Sequence, residues 1–486
     1  MIIIATHNHT VIIDHVATSP SWQHVDQRIN TTTQPSSSRD RCQIPRDAWE
    51  YTESKYFSLV TEYDLVCTKE WMLEFAKSAI FLGWSAGALA FIWVINKFGR
   101  KHTLFMSYTL FLLLTLASIA SPTISVYLLF RVLIGFLNGG IKPTISLFAT
   151  ELVGFRSRPF AVSIMYMSDG LSYVYVALHS YFINSWKMLY LALVIPFSLV
   201  IFCWPLVLES PAWTGNDQEV VKEILLTIDA RNGHPEMPFY SPVSGDLDKS
   251  GKEGKSSISC SRPALVKLLL LMFVIFSSGC LFMGITFLSP DMALKKISLG
   301  YALSGLSEIP GCLLAMLMCK RLGRKQANLW SCLLSALFCI IIAFIPSNDN
   351  NLGMRLTFGF GAKLCITCFA SVLLTWVMEL YDDSHRASIS CCFDFVVRIA
   401  HMLSPWFTSY LARINKTVPY IAICLIALLA CLVMLFIPDT ALKSDSNSNN
   451  MAQNETIQNL KIKSATIVNQ LNRKKKKKVS FYLKYR

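Results

Sequence analysis

The stretch CCFDFVVRIAHMLSPW, residues 391 to 406, sets an aspartate and an arginine four positions apart in otherwise apolar surroundings. That spacing puts Asp394 and Arg398 one turn apart on a single helix face, within reach of an ion pair. Each charge at the centre of a membrane helix opposes insertion by about 2.5 to 3.5 kcal/mol, so a chain that keeps both gains something from them. Lys142 in NGGIKPTISLFATE, Asp169 in MSDG, Glu308 in LSEIPG and Lys363 in FGAKLC raise the same question. Such groups face a bundle interior or a wet cavity, where they bind ions or polar solutes or relay protons. Structural pairing is the competing account, and it applies most directly to Asp394 with Arg398.

The elements that must position these charges follow from composition. Hydrophobic residues fill 53% of the 486 positions and charged residues only 16%, so apolar runs of bilayer length recur along the chain. Windows of about nineteen residues place spans near 75–95, 104–121, 125–148, 160–183, 186–208, 264–288, 298–319, 327–346, 353–377, 386–412 and 418–438. The expected class is an all-α polytopic membrane protein with eleven visible spans. A membrane enzyme would need a nucleophile beside a base, or a metal cluster. The histidines are scattered, with only His179 and His401 in spans, and Cys365 and Cys368 have no second pair and read as buried thiols. Neither an enzyme, a cofactor nor a nucleic-acid partner is expected, and a seven-helix receptor fails on span count.

Basic residues orient the spans, because cytosolic loops retain Lys and Arg. The loops of one side hold ten, among them Lys97, Arg100, Arg156, Arg324 and Arg386, and the facing loops hold five. The tail, with RKKKKK at 473–478, falls on the richer side. It is expected in the cytosol, as a solvated polar segment or bound to anionic inner-leaflet lipid. Residues 1–74 then lie outside, where Cys42 and Cys67 are disulfide candidates and Asn30-Thr31-Thr32 is a glycan acceptor.

A repeat divides the chain. Gly99-Arg100-Lys101 recurs as Gly323-Arg324-Lys325, and Arg131, Gly135 and Phe136 recur as Arg355, Gly359 and Phe360, both at an offset of 224 residues. Glu151 followed by Arg156 is echoed by Glu379 followed by Arg386. Two halves of like topology about a central cavity are implied: 75–208 and 264–438, joined by 209–263 and followed by a tail at 439–486. In the joint, Asn216 and Glu219 form a capping box for one short helix ended by Gly233, followed by a flexible linker. Two spans precede the Gly-Arg-Lys loop in the second half and one in the first. The repeat therefore calls for a twelfth span ahead of residue 1, missing as in a truncated gene model or isoform.

NKFGRKH (96–102) and KRLGRKQ (320–326) resemble the loop signature D-R-x-G-R-R/K of the major facilitator superfamily. SLVTEYDLVCTKEW (58–71), ATELVG (149–154), ESPAW (209–213), ELYDDSHR (379–386) and IPDTAL (437–442) resemble, in order, signatures of its organic cation, organic anion and carnitine transporter family. The resemblance implies a twelve-helix fold and alternating access. It assigns gating roles to Gly99, Arg100, Glu151, Arg156, Gly323, Arg324, Glu379 and Arg386. The chain departs from the pattern at Asn96 and Lys320, where the leading Asp of the latch would stand, at Ala212, and at Asp382-Asp383.

Arg398 falls where such carriers hold a charge that tracks substrate, aspartate for cations and arginine for anions and carnitine. Glu308 resembles the glutamate of cation and carnitine carriers. An acid facing a guanidinium across one cavity suits a zwitterion, its carboxylate on Arg398 and its ammonium on Glu308. Lys142 and Asp394 join them as substrate-binding candidates, with Tyr166 and Trp376 as aromatic walls for an ammonium. The expected substrate is a carnitine-like zwitterion or organic cation. An organic anion exchanger and a non-transporting relative are the alternatives, and sodium, proton or counter-substrate coupling are equally open. The expected site is the plasma membrane.

Overall fold

The computed structural model describes residues 54–152, 158–210, 213–214, 218–231, 262–292, 297–346, 349–380 and 386–437, with short strands at 22–24 and 49–51. Asn30, Cys42, Arg156, Ala212, Asn216, Gly233, Asp382, Asp383 and the tail from 438 lie outside the described residues.

Lipid offers a backbone no hydrogen-bond partners, so each apolar run satisfies its own as a helix. After a short helix α1 (Leu59–Tyr63), the first half comprises α2 (Glu70–Phe98), α3 (Arg100–Ile119), α4 (Ile124–Glu151), α5 (Arg158–Phe182) and α6 (Trp186–Ser198), which runs on as a 3₁₀ turn to Leu206. Helix α7 (Gln218–Arg231) lies in the connection. The second half comprises α8 (Arg262–Met292), α9 (Ile297–Arg321), α10 (Arg324–Phe344), α11 (Leu352–Leu380), α12 (Arg386–Ile414) and α13 (Val418–Leu435). Strands β1 (Trp22–His24) and β2 (Trp49–Tyr51) pair antiparallel, Trp22 opposite Tyr51, which adds a small ladder to the all-helical expectation.

Among the described residues, nine of these helices are long and apolar enough to cross a membrane. Helices α6 and α12 fall short of that measure for different reasons. Pro196 and Pro205 interrupt α6 and its 3₁₀ extension. Helix α12 has ample length, but Asp394 and Arg398 dilute its hydropathy.

The repeat is visible in the backbone. Gly99 and Gly323 adopt the same conformation, φ 84° and 80°, at the turns into α3 and α10. Helix α4 packs on α2 and α3, and α11 packs on α8, α9 and α10. The halves meet where α5 crosses α9 and α2 crosses α12. Gly170 and Gly305 allow the first crossing. A Cβ on Gly170 would stand 2.7 Å from the Gly305 carbonyl oxygen, and one on Gly305 would stand 2.5 Å from that of Gly170. Phe202, Phe344 and Trp93 point outward from the bundle, as lipid-facing side chains do. On α7, Ile224 is buried while Val220 is exposed.

Candidate functional site

A cavity of about 50 Å³ lies between the halves, walled by Lys142 of α4, Tyr166 and Asp169 of α5, Phe282 of α8 and Phe393, Asp394, Arg398 and His401 of α12. At roughly 10–15 Å³ of such space per water it admits a few waters. An organic ion of several heavy atoms enters only if the walls move apart.

The charges in these walls come as two buried pairs, one from each half. Lys142 donates to both oxygens of Asp169, at 2.6 and 2.8 Å, and its ammonium lies 5.9 Å from the Tyr166 ring centroid. Arg398 donates from Nε and Nη2 to Asp394 Oδ1, at 3.1 and 2.9 Å. Its Nη1 lies 3.0 Å from Nδ1 of His401, which accepts when its proton is on Nε2. The indole of Trp84 covers the guanidinium, with Cζ 3.7 Å from the ring centroid. Asp394 Oδ2 has no hydrogen-bond partner among the described residues. Two cations and two anions leave the chamber formally neutral. Each is costly to leave alone, since breaking a buried pair costs about 3–5 kcal/mol.

The other candidates are not among the residues that line this cavity. Glu308 is fully buried against Lys363, Nζ 2.9 Å from Oε1, and neither lines this cavity. The glutamate expected to face Arg398 is paired instead with a lysine on α11. Trp376 is fully buried and is likewise outside the lining, so of the two aromatic candidates only Tyr166 reaches the chamber. Tyr173 stacks on Tyr301 at the α5–α9 seam, 6.5 Å between centroids. Sequence reasoning missed Trp84, His401 and Phe282. His401, three residues after Arg398, shares its helix face and was findable by spacing. Trp84 and Phe282 carried no local signal.

At the basic end of the bundle, Arg100 grips Glu151 with Nε and Nη2 at 3.2 and 2.9 Å, and Ser210 donates to the same carboxylate. Arg324 repeats the fork on Glu379 at 2.9 and 3.0 Å. Glu209 accepts from the backbone N–H groups of Arg100 and Lys101 at 3.0 and 3.1 Å, placing a carboxylate at the positive start of α3. Trp213 donates to the Asn96 carbonyl oxygen at 3.0 Å. The ESPAW segment thus clasps the loop whose leading position is Asn96. Lys325 donates to the carbonyls of Leu435 and Ile437, closing the end of α13. Arg386 opens α12, and its side chain is outside the described set.

At the opposite end, Trp406 donates to the Ser78 hydroxyl, which donates to the Met402 carbonyl, both at 2.9 Å, tying α2 to α12. Glu70 and Arg413 add an exposed pair at 3.3 Å. Glu62 receives Trp186 at 2.7 Å and Lys187 at 2.6 Å. Cys67 is disulfide-bonded. Among the described residues no group of His, Cys, Asp and Glu is arranged to hold a metal.

The model of the Major Facilitator Superfamily matches residues 72–405. Solute carrier family 22 member 3 of Mus musculus is 27% identical over 440 residues, covering 89% of this chain and 77% of the relative. Organic cation/carnitine transporter 2 of Homo sapiens is 26% identical, covering 81% and 72%. The organic cation transporter protein of Drosophila melanogaster is 25% identical, covering 81% and 74%. Among solved structures, the proton:xylose symporter XylE aligns with a TM-score of 0.63 at 16% identity, over 90% of this chain and 96% of XylE. That likeness is one of fold.

Proposed function

The chain belongs to the Major Facilitator Superfamily, and from that premise we propose that it carries small organic ions across a membrane by alternating access, with a carnitine-like zwitterion as favoured substrate and organic cations next. The similar relatives named for organic cation and carnitine transport support the class. One observation carries the choice of zwitterion: two ion pairs of opposite origin, Lys142–Asp169 and Asp394–Arg398, wall a single formally neutral chamber. A zwitterion exchanges partners with both pairs and leaves no buried charge alone. A simple cation or anion leaves one wall group uncompensated, at the cost already given.

In this reading Arg398 and Lys142 receive the substrate carboxylate, Asp394 and Asp169 its ammonium, and Tyr166 its alkyl face. The Arg100–Glu151 and Arg324–Glu379 forks latch the basic end. That end faces the cytosol by its Lys and Arg excess, with residues 1–74 outside a plasma membrane and the tail from 439 inside. The spans are grouped as 75–208 and 264–438 about the connection 209–263.

The test is uptake by the full chain in a null cell background of a carnitine-type zwitterion, a quaternary ammonium and an aromatic carboxylate. The zwitterion is expected to be taken up fastest. Uptake of the carboxylate alone, accelerated by internal carboxylate, would replace this reading with an anion exchanger. A surface-expressed chain that moves none of the three is not a carrier of organic ions.

A further inference from the structure

The pair left out of the cavity has surroundings that an ion pair alone does not require. Lys363 brings its ammonium from α11 to 2.9 Å from Glu308 Oε1 on α9. It donates to the Thr286 hydroxyl on α8 at 2.6 Å and to the Phe282 carbonyl at 3.5 Å. Its Nζ lies 3.4 Å from the Phe282 ring centroid and 5.7 Å from that of Tyr173 on α5. All five residues are buried. A buried carboxylate, hydroxyl, carbonyl and two aromatic faces are the groups that recognise an alkylammonium.

We propose that this cluster is an ammonium cage which the protein fills with its own side chain, Lys363 acting as a tethered cation. The ligand class of the opened cage is a small primary alkylammonium. Two observations separate this from a plain structural pair. Neither oxygen of Glu308 has a hydrogen bond of good geometry among the described residues, so the carboxylate is held by the nearby ammonium, 2.9 Å from Oε1, rather than by a surrounding donor network. A void of about 20 Å³ also lies beside Lys363, lined in part by Ser289 and Ser304, so the ammonium is not sealed by close packing. The cage spans the seam between the halves, because Tyr173 comes from the first half and the other four residues from the second. Resting on the transport reading above, the filled cage withholds Glu308 from substrate. A substrate ammonium is then met by Asp169 and Asp394, and a plain organic cation is denied the most buried acid in the bundle.

Lys363→Ala removes the atoms beyond Cβ, which together make up n-propylammonium. Melting of the purified full chain in detergent, titrated with n-propylammonium chloride, tests the cage directly. Lys363→Ala should show a saturable upward shift that sodium chloride and n-propanol do not reproduce. Wild type, Lys363→Met and the double variant Glu308→Gln/Lys363→Ala should show none. In proteoliposomes Lys363→Ala should lose uptake about tenfold or more, because a buried carboxylate deprived of its partner destabilises the packed bundle, and n-propylammonium should restore it. An identical response in wild type, a response to n-propanol, or a folded Lys363→Ala variant that ignores n-propylammonium overturns the proposal. If Lys363→Ala is recovered only when n-propylammonium is present throughout purification, the cage is supported. If it is recovered in neither condition while the double variant folds, the cage is refuted. Melting does not depend on transport, so the cage stands or falls separately from the carrier reading.

Discussion

Trp84 of the first half and Arg398 of the second meet across the seam, the guanidinium carbon 3.7 Å from the indole centroid. Asp394 holds the Nε–Nη2 edge and His401 lies against Nη1, while the ring covers a face. In the proposed reading, a substrate carboxylate would gain the guanidinium fork by displacing Asp394, an exchange of partners rather than an addition, and the displaced Asp394 would be free to meet the substrate's ammonium. A desolvated cation–π contact is worth about 2 kcal/mol or more. Trp84→Leu should thus weaken apparent affinity for a zwitterion at least about tenfold, and Trp84→Phe, which keeps a ring, by less. Concentration-dependent uptake normalised to surface protein measures both.

Arg398→Asp should abolish uptake of carboxylated substrates while sparing or improving that of simple cations. Arg398→Lys keeps the charge but loses the fork, and should retain weak carboxylate transport. Asp394→Asn frees the guanidinium and should raise affinity for anions, while replacing both residues by neutral ones should flatten the preference. The measurement is the ratio of carboxylate to cation uptake. An unchanged ratio in surface-expressed Arg398→Asp would make Arg398 a structural partner of Asp394.

What the sequence disclosed followed the periodicity of each interaction. Apolar runs of bilayer length marked the long apolar helices, and the 224-residue repeat marked the glycine turns at Gly99 and Gly323. Asp394 with Arg398 was legible because both lie on one helix, four apart. The partners of Lys142 and Glu308 were not. Asp169 and Lys363 sit on other helices, 27 and 55 positions away, and no local pattern reports which helices touch. The same limit explains why Glu308 was matched with Arg398 rather than with Lys363, and why Trp84 stayed unnoticed. Trp376 has the right side-chain type, whereas its position on α11 places it in the packed interior.

The proposed latch can be tested at Glu209. Its carboxylate satisfies two backbone N–H groups at the start of α3, where loss of a capping side chain costs about 0.5–2 kcal/mol. Glu209→Ala should lower the melting temperature and slow transport without changing which substrate is preferred. Glu151→Gln should act in the same direction by weakening the Arg100 fork, and Arg324→Lys should do so in the second half. Thermal unfolding and maximal uptake rate together check this. A change in substrate preference with unchanged melting would place these residues in recognition instead.

Outside the bundle, Cys67 should be found in a disulfide when the chain is digested without reduction and its peptides are weighed, and Cys42 is its expected partner. Reduction should lower stability by about 2–5 kcal/mol, the usual cost of losing a native bridge in an outside segment. A Cys67 that labels with a thiol reagent on intact cells contradicts the pairing and the outside placement together.

Lys142 and Asp169 allow structural and functional roles to be pulled apart. Lys142→Met alone leaves Asp169 buried without the ammonium that holds both its oxygens, and should destabilise the chain by roughly 3–5 kcal/mol. Asp169→Leu alone strands Lys142 in the same way. Replacing a buried pair by apolar residues of similar volume is often neutral or stabilising, so Lys142→Met/Asp169→Leu should melt near the wild-type temperature. If the pair exchanges partners with substrate, this well-folded double variant should have lost zwitterion uptake, since the chamber wall on the first-half side no longer carries charge. Reversing the pair, Lys142→Asp/Asp169→Lys, should keep the fold and recover part of the uptake, because the chamber stays neutral while the charges change helices. Should the apolar double variant transport as well as wild type, Lys142 and Asp169 only brace α4 against α5, and recognition rests on α12.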